Sequence, residues 1–336
     1  MQSFGAAYFI SIRIAMKKIL LAIVFIPILS FSQGKEILHY FKTRDSLVGV
    51  KNKAGKIIVP AEFKIYGYLR DGDPVEGETI LFDGEKVGTA YEKNTWGYVY
   101  DRQGNFLYKP FLYDNGPDYF SEGVRRFVKD GKFGFADRNG KTVIEPKHNF
   151  ASFFNYGYAS FCDGCDWEKT DAEHKAIVGG TWGVMNAKGQ TVQPLTKYSE
   201  NDVEINGKYY PNPFQYNDKE KNILQFFEKQ NKKLSDLYYV NVYNKLSENE
   251  KKLFFEIVER PKENFPYYQV NTYDYRKKDL GMLYRFKFLV SDNGKIFYAI
   301  DDVEKKVPFE EWFENEMKEA KQFQKKHSDN PNKLNP

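Results

Sequence analysis

The residues of this sequence best suited to chemistry are Cys162 and Cys165, which are separated by two residues and are its only cysteines. Such a pair can form a disulfide, bind a metal or take part in thiol redox chemistry. A structural disulfide is the leading interpretation, and free thiols, a zinc site and catalytic redox chemistry are the alternatives. A zinc site would need His148 and His174, but their spacing matches no standard zinc finger. A redox site would need a strand before the pair and a helix beginning at it, and the flanking residues give little sign of either.

Acidic side chains surround the cysteine pair and are candidates for calcium ligands. They are Asp163, Asp166, Glu168, Asp171 and Glu173. Their order lacks the central glycine and the closing glutamate of an EF-hand loop. We therefore interpret this stretch as a solvated acidic loop.

The remaining sequence contains no recognisable catalytic arrangement. Its four histidines, His39, His148, His174 and His327, accompany no G-x-S-x-G, H-E-x-x-H, P-loop or G-x-G-x-x-G motif. We therefore expect no catalytic residue, no cofactor and no metal ligand, and we expect that the protein is not an enzyme. A hydrolytic enzyme with an unrecognised pair of carboxylates is retained as the third functional hypothesis.

One short sequence motif, which we term the repeated phrase, occurs four times and determines the architecture of this part of the chain. In each copy an aromatic or apolar residue precedes a glycine, a second glycine follows six or seven residues later, and a proline closes the phrase. Two β-prone runs around a glycine turn predict a hairpin in each copy, with the proline at a strand end and the first glycine at a bulge or close backbone approach. The signature residues, to which we assign a structural role, are Gly49, Gly55, Pro60, Trp96, Gly97, Gly104, Pro110, Phe133, Gly134, Gly140, Pro146, Trp182, Gly183, Gly189 and Pro194.

At these residues the chain resembles the WG-repeat family, also called KWG repeats. The third copy matches best, with Phe133-Gly134-Phe135-Ala136-Asp137 followed by Val143-Ile144-Glu145-Pro146. The resemblance covers about 48–198 and implies a β repeat array with no catalytic residues. The sequence departs from the pattern at Val48 and Phe133, which stand where the family has tryptophan.

The aromatic residues fall into two predicted classes. Trp96 and Trp182 occupy equivalent places in two copies, so we expect both to be buried in the core. Tyr156, Tyr158 and Trp167 are the candidates for a binding surface, since their rings can combine apolar contact with a polar tip.

The first 32 residues read as a signal peptide. Lys17 and Lys18 precede an apolar run that ends at Phe31 and is too short to span a bilayer, and residues 1–15 read as an upstream extension. Three of the 50 basic residues precede Gln33, which leaves 47 basic against 46 acidic residues in the mature chain. A nearly neutral chain without a basic stripe argues against nucleic-acid binding.

After residue 198 glycine becomes rare and helical patterns appear. Helices are predicted at 217–233, 247–259 and 308–326, and a hairpin at 284–300 with its turn at Asp292-Asn293-Gly294. The predicted fold is mainly a β repeat array at 33–198, followed by a smaller α+β region at 199–327 and a disordered tail at 328–336.

The leading functional hypothesis is a non-catalytic, exported bacterial protein that binds another envelope protein as an interaction or scaffold module. It would reside in the periplasm, at the cell surface or outside the cell, with no transmembrane span after signal cleavage. Binding of a glycan or of the cell wall is the alternative. The insertions 64–94 and 161–180 vary between copies, so we expect them to carry the contact.

Overall fold

The computed structural model describes residues 35–171, 175–199, 201–237, 247, 251–262, 264–273, 284–300 and 305–328. The predicted signal peptide at 1–32 lies outside these ranges, as do Glu173, His174 and residues 329–336. Among the described residues, none of the helices combines the length and the apolar character needed to span a bilayer.

In the described part of the chain, short antiparallel strands predominate and are followed by two long helices with five strands between them. The first half contains β1 (Leu38–Lys42), β2 (Val48–Asn52), β3 (Ile57–Ile65), β4 (Ile80–Phe82), β5 (Gly84–Lys86), β6 (Tyr98–Tyr100), β7 (Phe106–Pro110), β8 (Leu112–Tyr113), β9 (Gly116–Pro117), β10 (Val124–Lys129), β11 (Lys132–Asp137) and β12 (Thr142–His148). The second half contains β13 (Phe150–Ala151), β14 (Tyr158–Lys169), β15 (Lys175–Asn186), β16 (Thr191–Val192), β17 (Val203–Ile205), β18 (Lys208–Tyr210), α1 (Asp218–Asp236), β19 (Phe254–Glu259), β20 (Tyr267–Tyr273), β21 (Tyr284–Ser291), β22 (Phe297–Ile300), β23 (Lys306–Pro308) and α2 (Phe309–Ser328).

The strands assemble into several small sheets that follow one another along the chain. Three of them hold the repeats, in the orders β1-β2-β3-β5, β12-β11-β10-β7-β6-β4 and β13-β14-β15-β16. A five-stranded sheet of the C-terminal region follows in simple sequence order, β19 to β23, and two pairs, β8-β9 and β17-β18, complete the set. The prediction of a mainly β array with a smaller α+β region is confirmed.

Each copy of the repeated phrase forms the predicted hairpin, namely β2–β3, β6–β7, β11–β12 and β15–β16. The four turn glycines adopt positive φ, as the hairpin prediction requires. Their values are 84° at Gly55, 90° at Gly104, 81° at Gly140 and 72° at Gly189.

The first glycine of the phrase marks a close approach, as predicted. In the third copy a Cβ on Gly134 would lie 2.6 Å from the ring of Phe127, its cross-strand neighbour, and 2.9 Å from the carbonyl oxygen of Ile144. The same pairing of an aromatic ring over a glycine occurs at Phe41 and Gly49. Glycine is required here because any side chain would displace the ring.

The placement of the prolines is partly different from the prediction. Pro110 ends β7, but Pro60 and Pro146 lie inside β3 and β12. Both stand where the register to the preceding strand shifts. The missing N–H costs no ladder bond at such an irregularity, which explains why proline is tolerated there.

Residues 161–169 and 175–180 of the acidic stretch form a strand extension, and the loop interpretation was wrong for them. Strands β14 and β15 stay paired from Tyr158 and Asn186 out to Lys169 and Lys175. Continuous pairing satisfies the backbone groups that a loop would leave to water.

In the C-terminal region two of the three predicted helices are present, as is the hairpin. Helix α1 begins with a capping box between Asn217 and Glu220, and α2 begins directly after Pro308 and includes Ser328. The helix predicted at 247–259 was wrong over its second half, because Phe254–Glu259 is strand β19 paired with β20. The side chains of Phe255 and Ile257 are buried in the C-terminal core there, and pairing with β20 overrides the helical pattern.

A polar cluster that we term the carboxylate–tyrosine network connects the repeats with the C-terminal region. Hydroxyls of Tyr156 and Tyr216 both donate to the carboxylate of Glu256, the second at 2.5 Å. The hydroxyl of Tyr273 donates to Glu122 at 2.9 Å. Burial raises the pKa of Glu122 to about 7, although hydrogen bonds from Gly157 and Tyr273 act in the opposite direction.

Candidate functional site

Two of the predicted surface aromatics are core residues, so that prediction was wrong. Tyr156 and Tyr158 are 1% and 4% exposed. The ring of Tyr156 contacts Tyr273 at 5.0 Å between centroids, and the ring of Tyr158 contacts Tyr210 at 5.8 Å. Tyr210 and Tyr273 therefore cover the face that these rings would otherwise have presented to solvent.

Trp167 is half-buried and packs against the third repeat. Its ring lies 6.1 Å from that of Phe111 and 5.7 Å from that of Phe150. These contacts pack the β14–β15 extension against neighbouring strands. Trp167 therefore contributes mainly to packing, and little of its ring is available to a binding partner.

Cys162 and Cys165 are joined in a disulfide within β14, with 6.0 Å between their Cα atoms. Positive φ at Gly164 and Gly180 lets the paired strands bend around the bond. A Cβ on Gly180 would lie 2.6 Å from the sulfur of Cys162. Nearby, Nδ1 of His148 lies 3.0 Å from a carboxylate oxygen of Asp163.

Acidic, histidine and cysteine side chains do not assemble into a metal site in the part of the chain that the structure describes. There, no three of them lie close enough together to hold a metal ion.

The two signature tryptophans are not core residues, contrary to the prediction. Trp182 is 49% exposed, and Trp96 is half-buried. The equivalent residues Val48 and Phe133 are each 1% exposed. The repeat position is therefore buried where the chain has a smaller apolar residue and open where it has tryptophan.

Trp96 borders a cleft of about 320 Å³ between the first two repeats, which we term the Trp96 cleft. The insertion predicted to carry contacts forms one wall with its residues 84–92. The cleft is lined by Lys64, Gly84, Glu85, Lys86, Val87, Gly88, Thr89, Ala90, Tyr91, Glu92, Thr95, Trp96, Gly97, Tyr98 and Lys109.

The indole of Trp96 is held in a fixed orientation. Its Nε1 donates to Asp83 at 2.7 Å, and its backbone N–H donates to the carbonyl of Pro110 at 3.0 Å. Gly97 has a φ of 78°, and a Cβ there would lie 2.6 Å from the carbonyl oxygen of Phe82. A fixed ring offers contact area at low entropic cost.

Two exposed tyrosines extend the aromatic surface at this cleft. Tyr66 packs against Trp96 at 5.5 Å between ring centroids and is 60% exposed, while Tyr91 is 70% exposed. The hydroxyl of Tyr66 donates a hydrogen bond to the carboxylate of Glu85, and this hydrogen bond raises the pKa of Tyr66.

The charged residues of the cleft are mostly paired. Lys109 contacts Glu92 at 3.1 Å and lies over the ring of Tyr98, 5.1 Å from its centroid. Lys86 contacts Glu62 at 3.0 Å, and this hydrogen bond raises the pKa of Lys86. With its ions paired and an aromatic ring at its edge, the cleft is suited to recognition by stacking and hydrogen bonding.

Sequence reasoning identified the insertion but missed Trp96 as an accessible ring. The available signal was the density of tyrosines around it, Tyr66, Tyr68 and Tyr91, in polar sequence. Aromatic residues among charged ones indicate an exposed aromatic surface. Whether Trp96 belongs to that surface depends on which strands cover it, and the local sequence does not give this.

Comparison with known proteins gives one match. Residues 133–164 match the family model described as WG containing repeat, which begins at the phrase of the third copy. No curated protein and no solved structure matches the chain.

Proposed function

We propose that this WG-repeat protein acts by binding rather than by catalysis, and that the Trp96 cleft receives an exposed segment of another protein. The observation that carries the proposal is the half-buried indole of Trp96, held by Asp83 at the edge of a cleft. Rigid aromatic anchors of this kind supply much of the energy of protein interfaces.

The proposed setting is the bacterial envelope, after export and removal of residues 1–32. The disulfide between Cys162 and Cys165 supports this, because disulfides persist in oxidising compartments and are rare in the cytosol. N-terminal sequencing of the exported protein should begin at or near Gln33. A protein that retains Met16 or fractionates with the cytosol would contradict export.

The interaction is tested by affinity capture from envelope extracts with the full chain and its variants. Trp96→Ala and Tyr91→Ala should each reduce the captured protein, because they remove the anchor and an adjoining ring. Trp182→Ala is the matched control, since it removes a half-exposed tryptophan from the equivalent place of another repeat. Circular dichroism establishes that each variant folds.

Equal capture by the wild type, Trp96→Ala and Tyr91→Ala would contradict the cleft as the binding site. Tyr91 is 70% exposed, so its removal separates lost binding from lost folding. A turnover that disappears on a single Asp, Glu or His substitution would overturn the non-enzyme proposal.

Glycan binding is the second candidate. It is favoured by the exposed rings of Tyr66, Tyr68 and Tyr91, which are 60%, 88% and 70% exposed and offer flat stacking surfaces. Cosedimentation with purified cell-wall glycan distinguishes the two candidates. Loss of glycan pelleting in Tyr91→Ala, with no protein captured by the wild type, would favour the glycan.

A further inference from the structure

A second cleft, which we term the Arg125 cleft, lies where the first insertion faces the third repeat and the C-terminal region. It encloses about 670 Å³ and is separate from the Trp96 cleft, with which it shares no lining residue. Residues 73–79 form one side, and Phe120, Arg125, Arg138 and Phe265 form the other.

Among the residues that the structure describes, Arg125 forms no salt bridge with a carboxylate. Its Nε and Nη1 atoms are buried and have no hydrogen-bond acceptor. The guanidinium stacks on the ring of Phe120, with 4.2 Å between Cζ and the ring centroid. Its polar neighbour is the hydroxyl of Tyr108. Because arginine stays protonated, a buried guanidinium with no acceptor carries an uncompensated desolvation cost.

Acidic residues near Arg125 are already engaged by other cations. Asp118 binds Arg126 in a fork, with distances of 2.7 and 2.8 Å. Glu259 binds Arg138 at 3.0 Å. Neither carboxylate forms a salt bridge with Arg125; burial lowers the pKa of Arg125, and the charge of Asp118 offsets only part of this effect.

The facing wall limits which anion the cleft accepts. Asp73 receives the backbone N–H of Arg70 at 2.7 Å, and Glu78 pairs with Lys35 at 2.8 Å. Glu76 is exposed on the same wall. These carboxylates repel a doubly charged anion about twice as strongly as a singly charged one at the same place.

Apolar side chains also line the Arg125 cleft. Leu69, Pro74 and Leu81 lie along it together with the ring of Tyr40. An occupant with an apolar portion would remove this surface from water.

We propose that the Arg125 cleft binds a monocarboxylate that carries an apolar group. The guanidinium of Arg125 meets the carboxylate, and Leu69 and Leu81 contact the apolar portion. Two sources share this chemistry, the C-terminus of a peptide that ends in an apolar residue and a free aliphatic acid.

The test is calorimetric titration of the full chain with four probes. They are a short peptide ending in leucine with a free carboxylate, the same peptide as its amide, octanoate, and inorganic phosphate. We expect saturable binding of the free-acid peptide or of octanoate, and binding of the amide about tenfold weaker or absent, because the charge-assisted contact is lost. The stronger of the two acids identifies the source.

Three variants assign the contact to one residue. Arg125→Gln should weaken binding of the acid by about tenfold or more, whereas Arg125→Lys should retain part of it because the charge remains. Arg44→Gln is the matched control, since Arg44 is exposed and does not line the cleft. If Arg125→Gln does not fold, Arg125→Lys still tests the requirement for the planar fork.

Three results would overturn the proposal: equal binding of acid and amide, unchanged binding in Arg125→Gln, or no saturable binding of either acid. Phosphate binding more tightly than both acids would overturn the assignment to a monocarboxylate. None of these outcomes bears on the Trp96 cleft, so the two sites can fail separately.

Discussion

Buried ions at the centre of the repeat array are held by complementary geometry. Arg126 and Asp118 are 3% and 1% exposed, and the guanidinium also contacts the carbonyl of Ala151 at 3.2 Å. The rings of Phe111 and Tyr113 face the guanidinium at 4.7 and 5.3 Å. Burying such a pair costs desolvation free energy, and removing one member leaves the charge of the other buried without a counter-ion.

Asp118→Asn should therefore destabilise the protein by about 3–5 kcal/mol, because Arg126 would lose its counter-ion inside the fold. Urea denaturation measures the change. Lys221→Gln is the control, since Lys221 pairs with Asp218 at 3.4 Å on the surface and should cost less than about 1 kcal/mol. Similar losses in the two variants would contradict the enclosed pair.

Glu122 gives the protein a stability that falls as the pH rises. Burial raises the pKa of this carboxyl from its ordinary value of 4.5 to about 7 in the folded protein, so the folded state retains a proton that the unfolded state releases. The stabilisation is complete below about pH 4.5 and is lost as the pH rises through 7.

Glu122→Gln should flatten this pH dependence, because glutamine cannot ionise. Its stability relative to the wild type should improve by about 2–3 kcal/mol between pH 4.5 and 8. Urea denaturation at several pH values measures the difference. Parallel stability curves for the two proteins would show that the carboxyl of Glu122 is ionised throughout.

At the scale of the hairpin, the residue that follows the aromatic position must be glycine because a ring on the neighbouring strand occupies the space of a side chain. Gly134→Ala should cost about 1–3 kcal/mol, because the added Cβ would displace the ring of Phe127. Gly116→Ala, where a Cβ meets nothing within 4 Å, should change stability by less than about 0.5 kcal/mol. Thermal melts of the two variants make the comparison, and equal shifts would contradict the close approach.

The hairpins could be predicted because their requirements are local. In each turn the side chain that precedes the glycine by three residues, Asn or Asp, accepts backbone N–H groups, as Asp137 does from Asn139 and Lys141. Together with positive φ at the glycine, this defines the turn without reference to distant residues.

What could not be predicted depends on contacts between elements. Tyr156 and Tyr158 looked like surface rings because the strands that cover them come much later in the chain. Trp96 was predicted to be core because it shares its repeat position with Trp182, yet only Val48 and Phe133 are buried at that position. The exposure of a repeat position is decided by which neighbour packs on it, and that neighbour differs between copies.

On the scale of the whole molecule, the repeats and the C-terminal region share a buried cluster. Tyr158 of β14 and Val184 of β15 pack with Val203, Tyr210 and Tyr273. The carboxylate–tyrosine network adds hydrogen bonds between Glu122, Tyr156, Glu256 and Tyr273 across the same junction. An array of small sheets needs a cap at its end, and this cluster shows how the C-terminal region covers it.

This shared core predicts that the two regions unfold together. Tyr273 is fully buried and belongs to both the cluster and the network, so Tyr273→Ala should cost about 3–5 kcal/mol. Differential scanning calorimetry of the wild type should show one transition whose calorimetric and van't Hoff enthalpies agree, and the variant should show one transition at lower temperature.

Two transitions in the wild type, with Tyr273→Ala shifting only the one that belongs to the C-terminal region, would mean that the junction transmits little stability. Trp312 provides the comparison, because it is buried with Phe286 and Phe288 inside the C-terminal core and away from the junction. Trp312→Ala removes a comparable amount of buried surface. If the regions are coupled, it should lower the single transition as Tyr273→Ala does; if they are independent, it should leave the repeat array's transition unchanged.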